Sequence, residues 1–335
     1  MQINRLKPPF SVKPALLLVG LLLAFAGPAQ AVILFGYGNN DALVTNAPSG
    51  VSAGVSSGAP WDTVGLVVNY DFINMIGDTD QGAGSAIHIG NGWMLTADHV
   101  GNRNGVTFDG VNYYRRDVSV PYTQVAINVD AKLFKLETTP FATATLYDGT
   151  LGSVSGATST LIGWGRGRAD SDPGVTNPIP LGDASTIDKR WGQNEAALEN
   201  FAYVDPTYGY TYQSLVTVLG DPNYTPASER GVGSLEASAN FQDSGSGLFQ
   251  QIGADWYLVG LTTSVEFVSI SGSGSGVLYA SDDPATLDRG NVNYFFEIEE
   301  YEETIMGLIP EPSAFSLYCA VWVLAATGLR RKRRD

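Results

Sequence analysis

From Trp61 onward the chain is cut into short β-prone runs by Gly, Asn and Asp, and this punctuation constrains the fold more than any other feature. The runs include Val64-Gly65-Leu66-Val67-Val68, Ser85-Ala86-Ile87-His88-Ile89, Gly92-Trp93-Met94-Leu95-Thr96 and Lys132-Leu133-Phe134-Lys135-Leu136. Branched and aromatic side chains suit a pleated, half-buried surface, so such spacing predicts an all-β barrel or sandwich. After Gly163-Trp164-Gly165 the pattern reads as loop-heavy through Tyr212, and strands resume near Ser214-Leu215-Val216-Thr217-Val218. One helix is expected from about Asn293 to Met306, with Glu297, Glu299, Glu300, Glu302 and Glu303 on a solvated face. The single cysteine, Cys319, lies near the C-terminus, so no disulfide staples the rest and the core alone must hold it.

Both ends read as targeting segments rather than fold. Arg5, Lys7 and Lys13 precede an apolar stretch from Ala15 to Ala26, and Pro28-Ala29-Gln30-Ala31 offers the small-x-small pattern of a cleavage site. A signal peptide is therefore expected over 1–31, with export and a mature chain starting at Val32. Residues 32–60, rich in Gly, Ser, Ala and Asn, read as a flexible N-terminal arm. At the other end Ile309-Pro310-Glu311-Pro312 precedes an apolar stretch from Ala314 to Leu329 and then Arg330-Arg331-Lys332-Arg333-Arg334. This order resembles the PEP-CTERM sorting signal of Gram-negative bacteria. The resemblance implies that 310–335 is one hydrophobic tail helix, handled at the inner membrane by an exosortase-type sorting enzyme, with the main chain outside. The terminal arginines agree, since positive charge stays on the cytoplasmic side.

Without these ends, 11 basic residues face 32 acidic ones. So acidic a surface repels nucleic acid and favours solubility, and a monomer is expected. About 280 residues remain, enough for two small barrels or one large sandwich.

Chemistry is narrowed by scarcity. The chain has two histidines, His88 and His99. A serine hydroxyl is a poor nucleophile unless a positioned base removes its proton, and imidazole suits that task. Alternation along its strand gives His88 a structural or surface place. His99 instead ends an apolar run, Trp93-Met94-Leu95-Thr96-Ala97-Asp98-His99, and Asp243-Ser244-Gly245 follows far downstream.

These segments resemble the trypsin/chymotrypsin family of serine proteases. Gly84-Ser85-Ala86-Ile87, Asn128-Val129-Asp130-Ala131-Lys132-Leu133 and Leu161-Ile162-Gly163-Trp164-Gly165 match further segments of that family in the same order. The resemblance implies two six-stranded antiparallel β-barrels within 61–309, the first about 61–150 and the second about 151–309, with the C-terminal helix after them. It implies His99 as the base, Asp130 as its orienting carboxylate and Ser244 as the nucleophile, acting on protein or peptide substrates with no cofactor. Asp117 is the rival carboxylate, but no comparable apolar strand follows it. Ser238 matches the family's pocket floor, and Thr262, Thr263 and Ser264 lie on the strand resembling the one that pairs with substrate backbone. Asp243 corresponds to the carboxylate that pairs with a newly formed N-terminus, a part open to Val32.

The family's usual Gly-Asp-Ser-Gly-Gly-Pro is replaced by Gln242-Asp243-Ser244-Gly245-Ser246-Gly247. The oxyanion hole implied by the resemblance uses the N–H groups of Gln242 and Ser244, and glycine adopts the required conformation at the first position cheaply. A Cβ there favours a flipped peptide with its carbonyl turned inward. The alternative function is thus a protease-like binding module at the cell surface or in extracellular matrix. Gly50-Val51-Ser52-Ala53-Gly54 satisfies G-x-S-x-G but lacks the strand and helix of a nucleophile elbow. Asp78-Thr79-Asp80 and Asp170-Ser171-Asp172 complete no calcium loop and read as solvated turns, so no metal is expected.

Overall fold

The computed structural model describes residues 32–34, 60–74, 76–78, 84–140, 142–168, 179–180, 182, 187–219, 232, 235–240, 242–265, 268–269, 276–278 and 292–309. The expected signal peptide, most of the N-terminal arm, the tail from Pro310, and Thr79, Asp80 and Asp170 to Asp172 lie outside the described residues. Among the described residues no helix is long and apolar enough to cross a membrane.

The chain is mostly β. In the first half, β1 (Val64–Asp71), β2 (Gly84–Gly90), β3 (Trp93–Thr96), β4 (Gly105–Thr107), β5 (Tyr113–Arg115) and β6 (Lys132–Lys135) form one antiparallel sheet. The pairings run β5-β4-β1-β2-β3-β6. An antiparallel bridge between Arg116 and Leu136, with backbone bonds Asp117 N to Lys135 O (2.8 Å) and Glu137 N to Arg115 O (2.9 Å), joins its two ends into a ring.

The second half holds β7 (Thr158–Gly165), β8 (Asp188–Val204), β9 (Thr211–Val218), β10 (Gly247–Ile252), β11 (Asp255–Val265) and β12 (Val292–Glu297). Their pairings, β7-β8-β9-β12-β11-β10 and back to β7, also close on themselves. Closure removes open sheet edges, which would otherwise be exposed to pairing with neighbouring molecules.

Alternation decides which residues fill the interior. Val67, Met94, Val106 and Phe134 gather with Ala86 and Leu136 in one buried cluster, while Leu66, Val68, Leu95 and Leu133 point the other way into a larger one. Both faces of these strands are covered, so their apolar runs are nearly continuous. The larger cluster continues through Trp164, Trp191, Phe249, Phe295 and Phe296, and so spans both halves.

Two expectations need correction. The helix does not begin at Asn293: residues Val292–Glu297 are a wholly buried strand between β9 and β11, and a 3-10 turn over Glu299–Tyr301 leads into the α-helix Glu302–Leu308, here α1. Tyr294-Phe295-Phe296 can bury every side chain only in the middle of a sheet. Glu297 accordingly is buried, not solvated; the backbone N–H of Asn200 donates to its carboxylate at 2.8 Å, and burial pushes its pKa up to about 7. The stretch read as loop-heavy through Tyr212 contains the longest described strand, β8. Its polar residues hid it, because several of them are buried with backbone partners: Asn194 donates to the carbonyls of Val218 (3.1 Å) and Ala237 (2.8 Å).

Candidate active site

His99 stands just beyond β3. Ala97 continues the strand in an extended conformation, and Asp98–Val100 then tightens into a single 3-10 turn. The buried ammonium of Lys132 fixes this turn by donating to the carbonyls of Asp98 (2.7 Å) and Gly101 (3.0 Å). The register between β3 and β6 pairs Thr96 with Lys132. In antiparallel strands that brings His99, three residues after Thr96, and Asp130, two before Lys132, out at the same end of the sheet.

The fully buried Asp130 carboxylate accepts the His99 backbone N–H on Oδ1 at 3.0 Å and meets Nδ1 of the ring on Oδ2 at 2.6 Å. The other ring nitrogen, Nε2, lies 2.6 Å from Ser244 Oγ. The three residues taken from sequence are thus linked in one chain: carboxylate, imidazole, hydroxyl. Asp117 stands apart; its carboxylate caps the N–H and hydroxyl of Ser119, which hold its pKa down. His88 is buried, with Nδ1 on the Ala142 carbonyl and Nε2 accepting the Gly92 N–H at 3.2 Å. Burial lowers its pKa, so it is a neutral structural residue.

Ser244 sits in a turn held from three directions. Its carbonyl accepts the Ser85 N–H of β2 at 2.7 Å, Gly245 donates to the Thr262 carbonyl at 2.7 Å, and Ser246 donates back to Asp243 at 2.8 Å. Gly245 has φ +84°, and a Cβ there would lie 2.0 Å from the Ser85 carbonyl oxygen. The Gly-Trp-Gly of β7 has a similar reason: a Cβ on Gly163 would meet Ser246 Oγ at 2.0 Å, and one on Gly165 the Asp243 carboxylate at 2.7 Å. Between them the Trp164 N–H donates to Ser85 Oγ at 2.8 Å, tying the second half to the first.

Gln242 takes φ +70°, a left-handed value that a side chain resists. Flipping the peptide before it would turn φ through half a revolution, back to the negative side. The observed positive value is the one that the family's glycine adopts cheaply at this position. The Gln242 side chain is braced, with Arg166 Nε donating to Gln242 Oε1 at 2.9 Å.

Asp243 is fully buried and accepts the N–H groups of Asn240 (2.8 Å) and Val32 (3.2 Å) on the same oxygen. Burial pushes its pKa up to about 7, partly opposed by its hydrogen bonds and by Arg190. Ile33–Leu34 runs antiparallel to Ala237–Ser238, with Ile33 opposite Ser238. Ser238 is wholly buried, its hydroxyl on Asn293 Oδ1 at 2.7 Å. Thr262 exchanges backbone bonds with Gly245 and Ser246. Thr263 Oγ1 accepts the Tyr212 hydroxyl at 2.7 Å, and Ser264 Oγ accepts that of Tyr203 at 3.0 Å.

One neighbour escaped the sequence reading. Tyr208, at the tip of the β8–β9 hairpin, stacks on His99 with ring centroids 5.4 Å apart and planes within 10°. Only the aromatic density of Thr207-Tyr208-Gly209-Tyr210 in a turn hinted at it.

No protein-family model matches the chain, and no curated protein sequence does. Solved structures that resemble it include the HtrA-type protease AlgW with tripeptide, 15% identical, with a TM-score of 0.42 over 74% of this chain and 60% of that one. Another is Rv3671c from M. tuberculosis H37Rv in an inactive form, 11% identical, with a TM-score of 0.40 over 76% of this chain and 90% of that one. The chain spans about 60% of the length of the HtrA-type protease structures it resembles.

Proposed function

We propose that this protein is an exported serine endopeptidase of trypsin-like fold, with the site between its two closed sheets. The observation that carries this reading is the continuous hydrogen-bonded chain Asp130–His99–Ser244. Ser244 Oγ attacks the peptide carbonyl while His99 Nε2 takes its proton, giving a tetrahedral oxyanion. His99 then returns the proton to the departing amine, leaving an acyl-enzyme on Ser244, and water repeats the sequence to release the acid. Asp130 keeps the Nδ1 proton toward itself and stabilises the imidazolium. The N–H groups of Gln242 and Ser244 receive the oxyanion. The positive φ of Gln242 and its brace to Arg166 support an unflipped peptide there, and so favour the enzyme over the binding module.

Signal cleavage after Ala31 would complete the site. In the uncut chain the group on Asp243 is an amide N–H, and Val32, a β-branched residue, is held at φ +33°. Cutting the Ala31–Val32 bond abolishes that torsion and places an ammonium beside a buried carboxylate. Such strain at a non-glycine residue costs about 1–3 kcal/mol. The tail from Pro310 is proposed to hold the protein at the membrane until a sorting enzyme acts, with deletion of 310–335 releasing it into the medium.

Labelling of the exported protein with a fluorophosphonate probe tests the reading. The expected result is one labelled serine, lost in Ser244→Ala. A folded protein that stays unlabelled would return the choice to the binding module.

A further inference from the structure

The β8–β9 hairpin tip is built onto the site rather than merely near it. Asp205 is buried and its carboxylate accepts the N–H groups of Thr207 (2.6 Å) and Tyr208 (2.8 Å), while the Gly209 N–H returns to its carbonyl at 3.0 Å. The tip is then pinned to the first half at two points. The Tyr210 hydroxyl donates to Asp98 Oδ2 at 2.8 Å, and the Thr211 N–H donates to the Asn128 carbonyl at 2.8 Å. Asp98 is itself held by Gln124 (3.2 Å) and Lys132 (3.6 Å). Asp98 and Asn128 lie in the two loops that carry His99 and Asp130. The turn that aims Tyr208 is therefore fixed against the catalytic loops.

The stacking leaves no gap. Inserting a carbon layer between two rings needs about 7 Å, two contacts of 3.5 Å each, whereas these centroids are 5.4 Å apart. Yet Tyr208 is 59% exposed. An aromatic side chain that rigidly covers the general base while remaining mostly in solvent contributes little to the core. It lies over the ring that would take the Ser244 proton and faces solvent on its outer side.

We propose that Tyr208 is a specificity-determining residue that occupies the space over His99 and restricts one substrate position beside the scissile bond to small side chains such as Gly, Ala or Ser. The proposal rests on the endopeptidase reading above.

The test is cleavage profiling with a randomised peptide library, using wild type, Tyr208→Ala and Tyr208→Phe, each also titrated with the fluorophosphonate probe. The probe has no peptide side chain to place, so its labelling reports whether His99 and Ser244 are still assembled in each variant. Wild type and Tyr208→Phe should select small residues at one position next to the cut. Tyr208→Ala should accept Leu or Phe there, with kcat/KM for those peptides rising by about tenfold or more relative to the Ala peptide. An unchanged profile in Tyr208→Ala with labelling intact would overturn the proposal alone, as would a wild type that already accepts Leu or Phe there. Labelling lost in Tyr208→Ala but kept in Tyr208→Phe would also overturn it and make Tyr208 a residue that positions His99. Absence of labelling in wild type would overturn both the proposal and the reading beneath it.

Discussion

The two halves of the site are held in different ways. His99 and Asp130 are 31 residues apart, come from adjacent strands of one sheet, and share two hydrogen bonds, one of them from backbone. Ser244 comes from a turn whose anchors are remote: Ser85 in the other half, Thr262 across the sheet, and Val32, which lies 211 residues before the Asp243 carboxylate that receives its N–H. That turn also carries two positive φ values, at Gln242 and Gly245. The proposed base is thus fixed by strand register, which forms with the sheet, whereas the proposed nucleophile depends on several distant segments arriving together. Disturbing the second half should act through those anchors, and disturbing the first should act on the chemistry directly.

The sharpest break in this contrast is within the first half. His99→Ala should lower turnover on a peptide substrate by roughly ten-thousandfold or more, and Asp130→Asn by a similar order through the wrong tautomer. Both should keep the sheet register, so a far-UV spectrum should match wild type. Residual turnover within a hundredfold of wild type in either variant would assign the base elsewhere.

Next comes the longest-range anchor of the second half. Retaining Ala31 should leave Val32 as an amide donor and lower turnover by about a hundredfold, the scale set by a misformed oxyanion hole. The pH dependence gives an independent reading. In the uncut chain the Asp243 pKa is raised to about 7 from 3.8. Stability contributed by that buried acid is complete below about pH 4 and is lost as pH rises to about 7. A freed ammonium at Val32 favours the carboxylate and removes that loss. Denaturant titrations at pH 4 and pH 7 on cut and uncut protein separate the two cases, and parallel curves would count against the pairing.

How much of this was legible in the sequence follows the same division. The runs around His99 and Asp130 are local apolar patterns, and it was their resemblance, in order, to segments of the trypsin/chymotrypsin family that implied roles for the two residues. Gly163 and Gly165 were legible only as part of a segment resembling the family, and what packs against them, Ser246 and Asp243, emerges only from tertiary packing. Strand β8 stayed hidden because Arg190, Gln193 and Asn194 are polar residues buried within a sheet, against the usual inside–outside rule. The helix was drawn too early because the charged run after Tyr294-Phe295-Phe296 masked where the strand stops. Beyond the aromatic density of its turn no pattern pointed to Tyr208, since its partner is 109 positions away and the stacking depends on how the hairpin tip is pinned.

A smaller effect is expected where the halves join. Lys189 of β8 is buried, donates to the Phe108 carbonyl of the first half at 3.2 Å, and lies over Trp61 (4.7 Å) and Trp164 (5.9 Å). Burial pulls its pKa down to about 7, against 10.5 in the unfolded chain. The unfolded state therefore holds the proton more tightly between pH 7 and about 10, and wild-type stability should rise with pH across that window. The slope is at most about 1.4 kcal/mol per pH unit. Lys189→Met should remove this slope, with the difference read from denaturant midpoints at pH 7 and 9. Parallel wild-type and variant curves would show that the ammonium is hydrated and the join looser than described.

The finest test concerns Gln242, where the nucleophile half carries its strain. Gly at this position relieves the left-handed backbone but loses the Arg166 brace, and the two terms are similar at about 1 kcal/mol each. Gln242→Gly should therefore leave both stability and turnover close to wild type. Gln242→Ala keeps the Cβ and loses the brace, so the unflipped peptide loses support with nothing to offset it. A hydrogen bond of about 1.4 kcal/mol corresponds to a tenfold shift between the two peptide orientations, and turnover in Gln242→Ala should fall by up to about that factor while KM stays unchanged. Arg166→Ala should reproduce the loss in the wild-type background and lower turnover less in Gln242→Gly. If Gln242→Gly instead gains tenfold or more, the native Gln242 peptide is predominantly flipped. The second half of the site would then be the one that limits catalysis.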